Sequence, residues 1–450
     1  MKELNTVFAE LESEAPRMKK ALDYLWANPQ TGYREWKAEA YLEKEWEELG
    51  YTLTKAGNIP GFVTDLDTGR PGPKILVMAE LDSLLCRDHP DADPETGAVH
   101  ACGHCAQGVA LLGLAAALQK PGALEGLSGS IRLCMVPAEE LIEIGYREEL
   151  REQGIIRYFG GKCEFMYRGL FDGCDMSILV HTGGGRHHFG IAPGSNGCIS
   201  KKITFLGKAA HAGGSPWNGI NALYEANTAF SAVNALRETF REKDYIRFHP
   251  IITSGGTVVN AIPSSVTAES YVRGATYDAI RDANRRINRA IAGSAAAFGG
   301  NVELCDRPGY MPLVNDKTLT EIFLRAGAQV VPPENVHAGY DWDTGCSDMG
   351  DMSMVMPSIH IFGSGADGTG HGNDYVIGDF DCACMESAKL QYLMLRELMK
   401  DDAAEAKRVK ENAAPFFSSF ADYFAAQDSI TMDRKAVEYA EDGGITLRYQ

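Results

Sequence analysis

The sequence predicts an α/β protein, with a mixed sheet covered by helices on both faces and interrupted by an inserted α+β unit. Three observations predict this. Short apolar runs at 74–79, 130–136 and 176–181 suit strands buried on both faces, and they alternate with segments of helical periodicity. From about residue 196 the order becomes strand, helix, strand, strand, helix, strand, which is the ferredoxin-like arrangement. Finally, 450 residues of which 45% are apolar and 23% charged, with 48 Gly and 19 Pro, have the composition of an ordinary globular chain with ample core.

Taken in order, residues 7–27 and 34–49 read as helices, the second carrying Leu42, Trp46 and Leu49 on one face and stopped by Gly50. Strand 74–79 follows a Pro-Gly-Pro turn. A helix at 104–119 ends at Pro121-Gly122, strand 130–136 follows, and helices near 147–153 and 161–169 precede strand 176–181. The insert contains strand 198–206, helix 217–240, strands 251–259 and 265–274, helix 276–297 and strand 301–305. Segments 316–328, 353–363 and 379–400 return to the first texture. The chain therefore divides into a catalytic part at 1–195, an insert at 196–306, a second catalytic part at 307–400 and a helical extension at 401–450. In that extension Phe416, Phe417, Phe420, Tyr423 and Phe424 form the packing face.

Forty-three basic against 61 acidic side chains give a net charge of −18, with no long Lys/Arg run, which argues against nucleic acid or an anionic membrane as a partner. Eleven cysteines, an odd number in a long chain, fit a reducing compartment better than a disulfide framework. The first twenty residues lack a signal-peptide core, and the most apolar stretch, residues 108–118, is about half a bilayer span. A cytoplasmic protein is expected.

The chemistry concentrates in a few segments. In His100-Ala-Cys-Gly-His-Cys105 a loop feeds an apolar helix, and Cys102 and His104 are good metal ligands there, the helix start favouring the thiolate. The same segment holds Cys102-Gly-His-Cys105, a C-x-x-C, so a thiol–disulfide oxidoreductase is the reading from another class, although a polar turn rather than an aromatic strand leads into it. Pro137-Ala-Glu-Glu140 places Glu139 and Glu140 where a buried strand ends; one carboxylate suits a metal and the other a general base toward a metal-activated water. Asp82, at the end of strand 74–79, suits the carboxylate that orients a ligating histidine. His181 closes the next strand and His371 lies in Gly370-His-Gly372. One Cys, three His and two adjacent Glu at successive strand ends match the way two-metal hydrolytic sites are assembled.

HACGH, PAEE, a histidine closing the next strand, GKAAHAG, GGTVVNAIP, SDMGDMS and a late Gly-His, in this order, resemble the metal-dependent aminoacylase and carboxypeptidase family, metallopeptidase family twenty. The amidohydrolase branch of auxin-conjugate and p-aminobenzoyl-glutamate hydrolases is the most similar, over residues 20–400. The resemblance implies a zinc-exopeptidase-like catalytic domain holding two divalent ions (zinc, manganese or cobalt) through Cys102, His104, Glu140, His181 and His371, with Cys102 bridging. It implies Glu139 as general base and Asp82 beside the ligating histidine. The insert corresponds to a lid that dimerises in many members and carries His211 for the oxyanion, with Asn260 and Arg273 for a substrate carboxylate.

The implied activity is hydrolysis of the amide bond in N-acyl amino acids or dipeptide-like conjugates with a free carboxylate. A p-aminobenzoyl-glutamate-type carboxypeptidase or dipeptidase is the neighbouring alternative. Cys105 is a departure, since auxin-type members carry Asp there and the p-aminobenzoyl-glutamate branch carries Asn.

Overall fold

In the computed structural model, which describes every residue except Arg186, the chain forms two units. One comprises residues 1–194, 313–343 and 347–420; the other comprises 195–312, 344–346 and 421–450.

The first unit is built on an eight-stranded mixed sheet. Its order is Thr54–Lys55, Phe62–Asp67, Ser130–Val136, Lys74–Glu80, Met176–Thr182, Ser358–Gly363, Phe189–Ile191 and Val336–Ala338. The four strands from Ser130–Val136 to Ser358–Gly363 run parallel. Their buried Val, Ile and Leu runs are what a sheet covered on both faces requires. Antiparallel pairs join Phe62–Asp67 to Ser130–Val136 and Phe189–Ile191 to Ser358–Gly363.

Helix His104–Leu118 is buried at every residue, which is why its sequence is apolar all round rather than on one stripe. It packs against the sheet, Ala15–Ala27 and Ser387–Asn412. This core includes Met18, Leu42, Trp46, Phe62, Val109, Leu112, Ile178 and Leu395.

The second unit centres on strands Gly197–Leu206, Ser265–Gly274 and Asn301–Pro308, joined antiparallel, with helices Ala222–Ala235 and Tyr277–Ala297 packed on them. Its own core contains Phe205, Ala226, Val272, Ile287, Ile291 and Leu304.

Several expected elements are shorter or different. Helix 7–27 is two helices, Leu4–Glu12 and Ala15–Ala27, because Pro16, which lacks an N–H, fits the first turn of a new helix better than the interior of a long one. Helix 217–240 begins only at Ala222, where the Asn221 side chain accepts the Leu223 and Tyr224 N–H groups, and ends at Ala235. Strand 251–259 stops at Ser254, before Gly255 and Gly256, the latter at φ 120°.

The end of the chain is not a purely helical extension. After helix Phe420–Asp428, strand Met432–Lys435 pairs with Asn301–Pro308, and Val437–Tyr439 pairs with Ile445–Leu447 in a hairpin. The Asp442-Gly443 pair at the turn, Gly443 at φ 87°, was the available signal. Of the five aromatics expected to pack there, Tyr423 is fully buried whereas Phe416 is 59% exposed.

Glu225, in the first turn of helix Ala222–Ala235, is fully buried, and neither carboxyl oxygen has a hydrogen-bond partner. Burial raises its pKa from 4.5 to about 7. A raised carboxyl pKa means that the folded chain holds the proton more tightly than the unfolded chain. Stability is thus highest below the unfolded value and is lost as pH rises through 7. Glu225→Gln is expected to gain on wild type by about 2 kcal/mol between pH 5 and pH 8 in denaturant unfolding, whereas an equal difference at both pH values would contradict the assignment.

Candidate metal centre

The site lies at the carboxyl ends of the parallel strands, where open α/β sheets bind ligands. Strand Lys74–Glu80 delivers Glu80 and Asp82, Ser130–Val136 runs into Glu139 and Glu140, and Met176–Thr182 carries His181. Cys102 and His104 flank Gly103, which has φ 94° and is the N-cap of helix His104–Leu118. A Cβ on Gly103 would stand 2.5 Å from the Thr182 carbonyl oxygen and 2.4 Å from the Tyr375 hydroxyl, so only glycine permits this turn. Ala138 and His371 also hold positive φ, 57° and 64°. Such backbone is costly for a residue with a Cβ and is tolerated where surrounding contacts impose it. The Ala138 N–H is fixed by the Glu35 carboxylate at 2.8 Å.

Donor atoms gather in two groups that share Cys102. One is Cys102, His104 and His181; the other is Cys102, Glu140 and His371. The Cys102 sulfur is 3.4 Å from His181 Nε2, and His371 Nε2 is 3.2 Å from Glu140 Oε1. His104 Nδ1 lies 2.9 Å from the Asp82 carbonyl and 3.1 Å from its carboxylate, which fixes the ring and leaves Nε2 facing Glu80 and Glu139 at 3.2 and 4.0 Å. The other Asp82 oxygen accepts the Glu140 N–H at 2.8 Å. One carboxylate thus orients a histidine and positions the adjacent carboxylates.

Behind these stands a buried ion network. Lys162 Nζ contacts both Glu80 and Asp348, while the Lys162 N–H donates to Asp348 at 3.0 Å and Gln107 donates to Glu80 at 2.7 Å. Although burial opposes it, Asp348 and Glu80 hold Lys162 charged, and Lys162 and His104 hold Glu80 well below the usual carboxylate range. Burial, followed by Glu80, Glu140 and Asp348, pushes Glu139 well up. Burial and His104 lower His181 to about 4, so its imidazole is neutral and free to ligate.

The Cys102 thiol is pushed well up by burial, against the pull of His104. This corrects the expectation that the helix start alone favours the thiolate. A cation is what this environment needs to stabilise the charged sulfur. The donor set fits a pair of divalent ions. Carboxylates outnumber the single lysine, and His104 Nε2 and Glu140 Oε1, although 3.2 Å from Glu80 and His371, are buried without a hydrogen bond of good geometry.

Every unit-one residue singled out in the sequence enters this cluster: Cys102, His104, Glu139, Glu140, His181, His371 and Asp82. Glu80 was visible beside Asp82 but had no role. Lys162, Asp348, Glu35 and Gln107 carried no motif chemistry that separates a buried network from surface charge. Cys105 instead packs in the main core with its thiol raised to about 12 by burial, and none of the eleven cysteines forms a disulfide. Nothing supports the thiol–disulfide reading.

His211, Asn260 and Arg273 belong to the second unit. There, His211 bridges Ala261, and the Asn260 carbonyl accepts the Ala212 N–H at 2.9 Å. His211 Nδ1 accepts the Gly213 and Gly214 N–H groups at 3.2 and 3.0 Å, leaving Nε2 as the donor of the neutral ring. Arg273 lies on strand Ser265–Gly274, opposite Cys198, with a buried Nε lacking a hydrogen-bond partner.

Among known proteins, the chain is 27% identical to the Xaa-Arg dipeptidase of Mus musculus over 81% of its own length and 80% of that protein. It is 31% identical to the indole-3-acetyl-aspartic acid hydrolase of Enterobacter agglomerans over 55% of each chain. A dinuclear metal-binding peptidase of the M20 family from Bacillus subtilis superposes with a TM-score of 0.63 at 18% identity, covering 86% of this chain and 99% of that one. Residues 76–382, which span all the candidate ligands above, match the model of peptidase family M20/M25/M40, and the chain belongs to that family.

Proposed function

We propose that the protein hydrolyses the amide bond of an N-acyl amino acid or dipeptide-like conjugate bearing a free carboxylate. The observation that carries this reading is the pair of ligand groups meeting at Cys102 with Glu139 beside them. Cys102, His104, Glu140, His181 and His371 would hold two divalent ions, zinc, manganese or cobalt, which would supply Lewis acidity toward the amide carbonyl and the attacking water.

Within the protein, Glu139 takes a proton from the water and returns it to the leaving amine; its raised pKa suits both directions of transfer. Asp82 keeps His104 in the ligating tautomer. His211 Nε2–H is the lid's donor to the developing oxyanion. Asn260 and Arg273 hold the substrate carboxylate, for which the unpartnered Arg273 Nε is a matching donor.

A homodimer through the insert is part of the same proposal. Strand Ile251–Ser254 is exposed along its length, and Ile251, Ile252, Val258 and Val259 are all exposed apolar side chains. Among the described residues no helix is long and apolar enough to cross a membrane; a cytoplasmic site of action belongs to the proposal as well.

The substrate assignment is tested on N-acyl amino acids, dipeptides and p-aminobenzoyl-glutamate, each paired with its C-terminal amide, following release of the free amine. Arg273→Ala is expected to lower kcat/KM on the free acids by about 10- to 100-fold, mainly through KM, and to leave the already poor amides unchanged. Equal losses on acid and amide would remove Arg273 from carboxylate binding.

A further inference from the structure

A second set of metal-binding side chains shares no residue with the Cys102 cluster. His188 precedes strand Phe189–Ile191, while Cys382 and Glu386 stand four residues apart on the π-helical turn Asp381–Glu386 that leads into helix Ser387–Asn412. One donor atom from each lies within 4.8 Å of the others. Ligand atoms on one tetrahedral zinc ion, at about 2.0–2.3 Å from it, stand roughly 3.3–3.8 Å apart, so a movement of about an ångström brings this arrangement onto a shared ion.

His188 Nε2 and Glu386 Oε2 meet in an ion pair, yet both atoms are shielded from solvent and neither makes a hydrogen bond of proper geometry. The Cys382 sulfur is 3.9 Å from His188 Nδ1 and donates to Asp379 Oδ2 at 3.3 Å, so a second carboxylate stands against the thiol.

The backbone holds these groups in place. Asp379 accepts the Cys382 N–H at 3.1 Å on its side chain and the Ala383 N–H at 3.0 Å on its carbonyl, and the His188 carbonyl accepts the Ser364 N–H at 2.8 Å. Gly365 lies so close that a Cβ there would stand 2.5 Å from the Ala383 nitrogen. A π-helical turn disturbs the regular hydrogen-bond ladder and recurs at functional sites. Here it is followed directly by regular helix.

We propose that His188, Cys382 and Glu386, with Asp379 as the fourth group, bind a further divalent ion of the zinc class. Thiolate and imidazole together select zinc or cobalt over magnesium or calcium. Binding releases the thiol proton to solvent and ties the loop after the His181 strand to the start of the long helix. The site is independent of the reading of the Cys102 cluster, because no ligand is common to the two.

The test is metal analysis of the full chain after equilibration with zinc and removal of loosely held metal. Wild type is expected to retain three ions, and Cys382→Ser and His188→Asn two each, with amide hydrolysis within about twofold of wild type. In cobalt-loaded Cys102→Ser, thiolate-to-cobalt absorption is expected to persist and to disappear on adding Cys382→Ser, a readout that needs no activity. Equal zinc content in wild type and both variants, or no thiolate absorption in cobalt-loaded Cys102→Ser, overturns the proposal. Should Cys382→Ser fail to fold, His188→Asn and the cobalt spectrum decide the same question.

Discussion

Glu139→Gln is expected to lower kcat by about 10²- to 10⁴-fold while leaving the fold and metal content intact. Glutamine keeps the volume and the hydrogen-bonding reach of the side chain but cannot accept and return a proton. Glu139 is the one carboxylate of the adjacent pair outside both ligand groups that share Cys102, so its loss removes a proton carrier without removing a ligand from either. Burial, then the field of Glu80, Glu140 and Asp348, disfavour its charge, against the opposing pull of His104, whose Nε2 is 4.0 Å away. That field is what brings a carboxyl toward the working range of a general base. The loss should fall on kcat and kcat/KM alike, because the proton transfer is made only in the transition state. A variant with full metal content and wild-type kcat would remove Glu139 from the reaction.

Cys102→Ser is expected to release both catalytic ions, weakening their binding by at least about 100-fold, and to abolish hydrolysis. Changes in groups that only orient ligands already cost 10- to 100-fold, and Cys102 is itself a donor in both groups. His371→Ala, which touches one group only, should release one ion and keep the other. The asymmetry between these variants is the signature of a shared thiolate; equal metal loss in both would show that Cys102 does not bridge. Activity restored to Cys102→Ser merely by reducing agent would also contradict it, because serine cannot be reduced to a ligand.

The site was legible because its chemistry is concentrated at strand ends. Short apolar strands ending in Glu80-Leu-Asp82, Glu139-Glu140 and His181 mark where a parallel sheet presents its ligands, and Gly103 marks the turn that sets Cys102 beside His104. What stayed hidden was the network beneath. Lys162 and Asp348 are 186 residues apart, and nothing local distinguishes a lysine that will be wholly buried between two carboxylates from one that will meet water. The tail departs from its expected helix for another reason. Its aromatic cluster suggested a helical face, while the Asp442-Gly443 turn, flanked by Val437–Tyr439 and Ile445–Leu447, held the β signal in runs of only three residues. Cys105 was legible as a departure but not as a core residue, because C-x-x-C spacing alone does not show that its second cysteine packs in the main core.

The most direct test of the central claim is amine release from the acyl-amino acid panel by the full chain, first stripped of metal and then resupplied with zinc, manganese or cobalt. The stripped protein is expected to be inactive, and each suitable ion to restore hydrolysis in wild type but not in Cys102→Ser. Hydrolysis that persists in protein shown by elemental analysis to hold no metal would contradict the account.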